Sequence, residues 1–197
     1  MYGDRAMNEE LKQRLNKVIP RLESQEFLDN AGLGNEIGFY IFDYPPEEEL
    51  AIREYMDIIL AHFATKRPDL KVIHINLFKL IIGHLENRNL LEKSLKLQKE
   101  KGDEALRTAL AGPLNEEKLA KVFVEAADPD NSDIVIVSGV GNSWPLLRSH
   151  TLLNNLHPLM SRTPLVMFYP GIYDGQSLKL FGRLKDDNYY RAFRLIT

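Results

Sequence analysis

Four short apolar runs constrain this chain more than any other feature. Ile37–Asp43 (IGFYIFD), Lys71–Leu77 (KVIHINL), Asp133–Ser138 (DIVIVS) and Pro164–Tyr169 (PLVMFY) are apolar almost throughout. A strand with one wet face alternates in polarity, whereas a strand covered on both faces does not, so these runs predict central parallel strands. Each of the first three leads into helical sequence. From Pro46 to Thr65, Ile52, Met56, Ile59 and Phe63 recur at helical spacing, and a helix from Trp144 to Leu159 closes the last crossover. Strand–helix alternation of this kind gives an α/β fold, a three-layer α/β/α sandwich around a mainly parallel sheet.

Three further segments surround that alternation. Within residues 1–31, Leu11, Leu15, Val18 and Leu22 form one helical stripe, which Pro20 should kink or restart. The stretch Gly32-Leu33-Gly34-Asn35 then works as a linker turn. Residues 78–128 are longer than one crossover needs and read as a helical insertion of two or three helices, with Gly112-Pro113 as a break and Asn115 as an N-cap. Residues 177–196 read as a C-terminal β-hairpin, Ser177–Leu184 and Tyr189–Ile196 around the polar turn Lys185–Asn188. A length of 197 residues accommodates these parts as a single domain spanning 1–197.

Composition enters by what it excludes. The chain has no cysteine, which removes disulfides, thiolate metal sites and a cysteine nucleophile together. No apolar run is long enough to span a bilayer, and the first residues alternate in charge without the apolar stretch of a signal peptide. A cytoplasmic location without membrane contact is therefore expected. The net charge of −3 is a sum of unlike parts. Residues 1–50 hold five Lys/Arg against eleven Asp/Glu, while residues 151–197 hold six against three. The basic end could meet an acidic partner or a phosphate backbone, with ordinary solvated charge as the alternative.

Two turns of the parallel sheet bear on ligand chemistry. After the first strand comes Tyr44-Pro45-Pro46-Glu47-Glu48-Glu49. Two prolines remove amide donors, and three carboxylates occupy the place where a phosphate would sit. If the fold is P-loop-like, it is a degenerate form that does not bind phosphate there. After the third strand, Ser138, Gly139, Gly141, Asn142 and Arg148 lie on the carboxyl edge where open α/β sheets bind ligands. They form the candidate ligand pocket, and a plain tight turn with Pro145 opening the helix is the alternative. The five histidines show no pairing with carboxylates that suggests a metal, and no G-x-S-x-G elbow is present. His62 and His74 sit inside apolar segments and read as core or boundary residues. The lysines Lys93, Lys96, Lys99 and Lys101 are laced with Glu92 and Glu100, as on a solvated helix. No catalytic residue, metal ligand or cofactor site emerges, so the chain is expected not to be an enzyme.

Two segments are distinctive as strings: IVIVSGVGNSWPLLRSHTLLNNL (Ile134–Leu156) and PLVMFYPGIYDGQSLKLFGRLKDDNYYRAFRLI (Pro164–Ile196). Together they resemble the BrxB family of BREX bacteriophage-exclusion systems. GFYIFDYPPEEELAIREYM and VIHINLFKLI extend the resemblance more loosely over the first two strands. The resemblance implies a small cytoplasmic component of an anti-phage defence island. Members accompany a PglZ-type protein of the phosphatase superfamily, a large AAA+-like ATPase and an adenine-specific DNA methyltransferase. It carries no agreed catalytic residues onto this chain. The expected function is a non-catalytic adaptor of a BREX complex that binds a PglZ-type protein and other BREX components, meeting nucleic acid only within that complex. Tyr173, Tyr189, Tyr190, Arg191, Phe193 and Arg194 have the composition of an interface hot spot and are its candidate partner surface. The alternative is a nucleotide- or nucleic-acid-binding domain using the turn Gly139–Arg148 and the basic C-terminal segment.

Overall fold

The computed structural model describes residues 8–29, 38–188 and 192–196. The four apolar runs form β1 (Phe39–Tyr44), β2 (Val72–Asn76), β3 (Ile134–Ser138) and β4 (Leu165–Tyr173), and the chain continues into β5 (Ser177–Leu180), β6 (Leu184–Asn188) and β7 (Ala192–Arg194). The parallel sheet has the order β2-β3-β4-β1-β7. Phe39 is in register with Leu165 on one side and with Ala192 on the other. Beyond Pro170, β4 leaves the parallel sheet and pairs antiparallel with β5, which pairs with β6.

Alternate residues of each strand enter opposite cores. Phe39, Ile41, Val135, Val137, Leu165 and Met167 face one side; Tyr40, Phe42, Ile134, Ile136, Val166 and Phe168 face the other. On the second side lie α1 (Glu9–Leu15), α2 (Val18–Leu22), α3 (Gln25–Leu28) and α4 (Glu49–Lys66). Ile52, Met56, Ile59 and Phe63 form the buried stripe of α4. The first side is covered by α5 (Leu77–Asn87), α7 (Glu116–Ala127), α8 (Val140–Ser143) and α9 (Ser149–Leu156), with α6 (Leu91–Leu110) running between α5 and α7. The fold is a three-layer α/β/α sandwich with a mainly parallel sheet, a helical insertion and a C-terminal hairpin. Covering both faces explains why its strands read as unbroken apolar runs.

Several expected boundaries move, each for a local reason. The N-terminal stripe breaks at Asn16-Lys17, and Pro20 sits in the first turn of α2, where an absent N–H costs no helical bond. Trp144 does not open a helix. It follows α8 with a cis bond to Pro145, and α9 begins only at Ser149. α6 is interrupted at Gly102, whose φ of 81° suits a residue without Cβ. The hairpin also differs in place. Its turn is Phe181–Arg183, Lys185–Asn188 is strand, and Ala192–Arg194 joins β1 in parallel instead of folding back on β5.

Candidate functional site

On the α4 side of the sheet, the residue pattern changes at the carboxyl ends of the strands. β2 presents Val72, then His74 and Asn76; β3 presents Ile134 and Ile136, then Ser138. The shared face is apolar at its base and polar at its rim. α4 spans this rim and brings Glu49, Arg53 and Asp57 over it, while the start of α5 adds Phe78 and Lys79. Between them lies a cleft of about 430 Å³ whose floor includes Ile52 and Met56. Its position, outside the carboxyl ends of an open α/β sheet, is where such folds place ligands.

Hydrogen bonds fix the walls. His74 Nε2 lies 2.8 Å from Ser138 Oγ, to which Asn76 Nδ2 also donates at 3.4 Å. Asn76 Oδ1 accepts the Lys79 backbone N–H at 3.1 Å, so one side chain both caps α5 and shapes the cleft. Opposite, Tyr44 donates its hydroxyl to Glu49 at 2.5 Å, and Arg53 bridges Glu49 at 3.0 Å and Asn142 Oδ1 at 2.9 Å. Burial and the Glu49 carboxylate push the Tyr44 phenol far above the ordinary tyrosine range, so it stays a donor. Burial also lowers the His74 pKa below its ordinary value, and Lys79 adds to that shift while Asp57 opposes it. His74 is therefore neutral at pH 7 and offers one ring nitrogen to accept and one to donate.

The wall can make hydrogen bonds to a ligand. A neutral His74 beside Ser138 has the contact of a nucleophile and its base. However, among the described residues no hydrogen bond ties His74 to Asp57 or to any other carboxylate that would orient the ring. Among the described residues, no three His, Asp or Glu side chains come together in a way that could hold a metal ion. The turn after β1 delivers the Glu49 carboxylate to the cleft instead of a nest of amide donors.

The residues expected from the sequence separate. Ser138 and Asn142 line the cleft. Gly139, with φ 72°, lies so close to Asn76 that a Cβ would stand 2.5 Å from its Oδ1. Gly141 is pressed against Phe181 and Pro170. These two glycines shape the turn by close packing and do not line the cleft. Arg148 is exposed at the start of α9, outside the cleft lining.

The expected partner surface is corrected at its centre. Tyr173 is fully buried, because β4 runs on to it; its hydroxyl donates to Ala192 O at 2.7 Å and its N–H to Asp43 Oδ2 at 3.0 Å. Phe193 is half-buried, its ring centroid 5.9 Å from that of Tyr40. Arg194 is exposed and donates to Tyr173 O. Tyr189, Tyr190 and Arg191 lie outside the described residues. The sequence reading missed His74 and Asn76, although a signal was present. Two polar residues two apart within a strand share one face, and Asn76 falls level with Ser138 on the neighbouring strand.

Residues 73–195, more than half of the chain, match the model of the family described as BREX protein BrxB. The chain belongs to the BrxB family. Two relatives, each carrying the name BREX protein BrxB, extend the match to nearly the whole length. One, from Bacillus cereus (strain H3081.97), is 40% identical over 190 residues, covering 94% of this chain and 97% of the relative. The other, from Escherichia coli O9:H4 (strain HS), is 43% identical over 186 residues, covering 94% and 92%. No solved structure matches this chain significantly. The BrxB match takes in β3 and all of β2 but its first residue, and with them His74, Asn76, Ser138 and Asn142. Among the described residues, no helix is long and apolar enough to cross a membrane.

Proposed function

We propose that this BrxB-family chain is a component of a BREX anti-phage system and serves it as a non-catalytic adaptor that binds a PglZ-type protein. Membership of the family supports the system. The adaptor role is supported by one observation on the surface: large apolar side chains stand exposed beyond the carboxyl ends of the strands. Trp144 follows α8 and keeps 44% of its surface open, and Ile172, at the end of β4, keeps 49%. Leu184, at the start of β6, is likewise exposed. Exposed aromatic and aliphatic anchors rimmed by polar residues are the usual mark of a protein-binding surface. Arg194 is exposed and tied to the carbonyl of Tyr173, which is itself buried. A degenerate P-loop-like core accords with this role, since a carboxylate-bearing first turn leaves the edge free for a protein partner.

The test is co-expression of the chain with the PglZ-type protein of its own system. The two should co-purify and elute together from a sizing column at micromolar concentration. Separate elution under those conditions overturns the PglZ-binding role while leaving family membership untouched.

A further inference from the structure

We infer that the cleft beneath α4 is a binding site for an uncharged nucleoside, with Phe78 stacking on the base and the His74–Asn76–Ser138 wall reading its edge. This goes beyond the adaptor role and is independent of it.

The first argument is charge. Glu49, Arg53 and Asp57 come from α4 and Lys79 from α5, so the formal charge of the lining sums to zero, and Glu49 is already bonded to Arg53. A cleft without net positive charge offers a polyphosphate no general attraction, and an uncharged ligand needs none. The second argument is the mixture of hydrogen-bonding groups. The Lys79 ammonium and Asn142 Nδ2 make no hydrogen bond among the described residues, and neither does the Asp57 carboxylate. Neutral His74 spends Nε2 on Ser138 and keeps Nδ1 for a ligand, as donor or acceptor according to the tautomer. A cleft that offers both kinds of group on a polar wall suits a heterocycle that carries both kinds along its edges.

The third argument is Phe78. It lines the cleft yet leaves 38% of its surface exposed, although it opens a helix whose Leu77, Ile81 and Leu85 are all buried. Helical phase accounts for its pointing away from the core, and a free aromatic face at a cleft mouth is what a base stacks upon. The buried Ile52 and Met56 supply an apolar floor below it. The cleft volume of about 430 Å³ is within the range of small-molecule sites. The same ring could arrive as a free nucleoside or as an unpaired base on a strand.

Calorimetric titration of the purified full chain with adenosine, guanosine, ATP and a short single-stranded oligodeoxyadenylate tests the site. Saturable binding of adenosine or guanosine is expected, with ATP no tighter than adenosine. Phe78→Ala should weaken nucleoside binding about tenfold or more, and Phe78→Tyr should keep it. Leu95→Ala, exposed on α6, should change nothing. Circular dichroism of each variant separates loss of stacking from loss of fold. Binding of the oligonucleotide tighter than adenosine identifies a base presented on a strand; equal or weaker binding identifies the free nucleoside. No saturable binding of either nucleoside up to millimolar concentration overturns the inference. So does ATP binding that exceeds adenosine binding and fades with salt, or unchanged nucleoside affinity in a folded Phe78→Ala.

Discussion

His74 stands half-buried at the rim of the cleft, its ring against Ser138. Its folded pKa lies below the ordinary histidine value of 6.5, so the unfolded chain takes up a proton more readily than the folded one. The stability this difference contributes is complete above pH 6.5 and is lost as pH falls through that value towards the depressed folded pKa. Urea unfolding midpoints should therefore drop between about pH 7 and pH 5, and His74→Gln should shrink that drop. An identical pH dependence in wild type and variant would count against this assignment. In the sequence His74 sits among Ile73 and Ile75, and nothing local says that its face ends at a rim. The burial that lowers its pKa comes from α4, which a long crossover carries to the same place. For the same reason Tyr44, Glu49 and Arg53 were not legible as cleft residues, whereas Ser138 and Asn142 were, because they stand beside a strand end. Tyr173 failed in the opposite sense. Pro170-Gly171 reads as the end of a strand, yet the strand runs through it.

At the scale of elements, β4 does two jobs. Through Pro170 it belongs to the parallel sheet, and from Gly171 to Tyr173 it pairs with β5. Gly171 makes the change possible: a Cβ there would stand 2.2 Å from the carbonyl oxygen of Lys179, which belongs to the backbone and cannot swing aside. Gly171→Ala should therefore cost about 1–3 kcal/mol or more, seen as a lower unfolding midpoint. Gly175→Ala shares the glycine-to-alanine change without any neighbour within 4 Å, although its φ of 95° adds backbone strain of its own. The parallel strands were legible because both-face burial writes itself as continuous apolar sequence. The β5–β6 hairpin was displaced because its second strand, Leu184–Asn188, is mostly charged and polar and lacks that signature. The break between α8 and α9 was hidden for a related reason, since Leu146, Leu147, Leu152 and Leu153 keep a nearly helical apolar spacing across a turn.

At the scale of the molecule, cores on both faces of the sheet leave the carboxyl edge as the surface where loops and exposed apolar groups gather. If that edge binds the partner, Trp144→Glu combined with Ile172→Glu should abolish co-purification with the PglZ-type protein while leaving the unfolding midpoint nearly unchanged, because neither side chain is buried. Retained co-purification by the double variant would move the interface elsewhere. The strand order has a further consequence for how the protein is made. β1 is the first strand to leave the ribosome, but both of its sheet neighbours, β4 and β7, come from the far end of the chain. Roughly 120 residues must follow it before its own ladder with β4 can form, on the order of ten seconds of synthesis. Through that interval Phe39–Tyr44 is a nascent apolar segment with two open edges, the kind of stretch that chaperones hold and aggregates recruit.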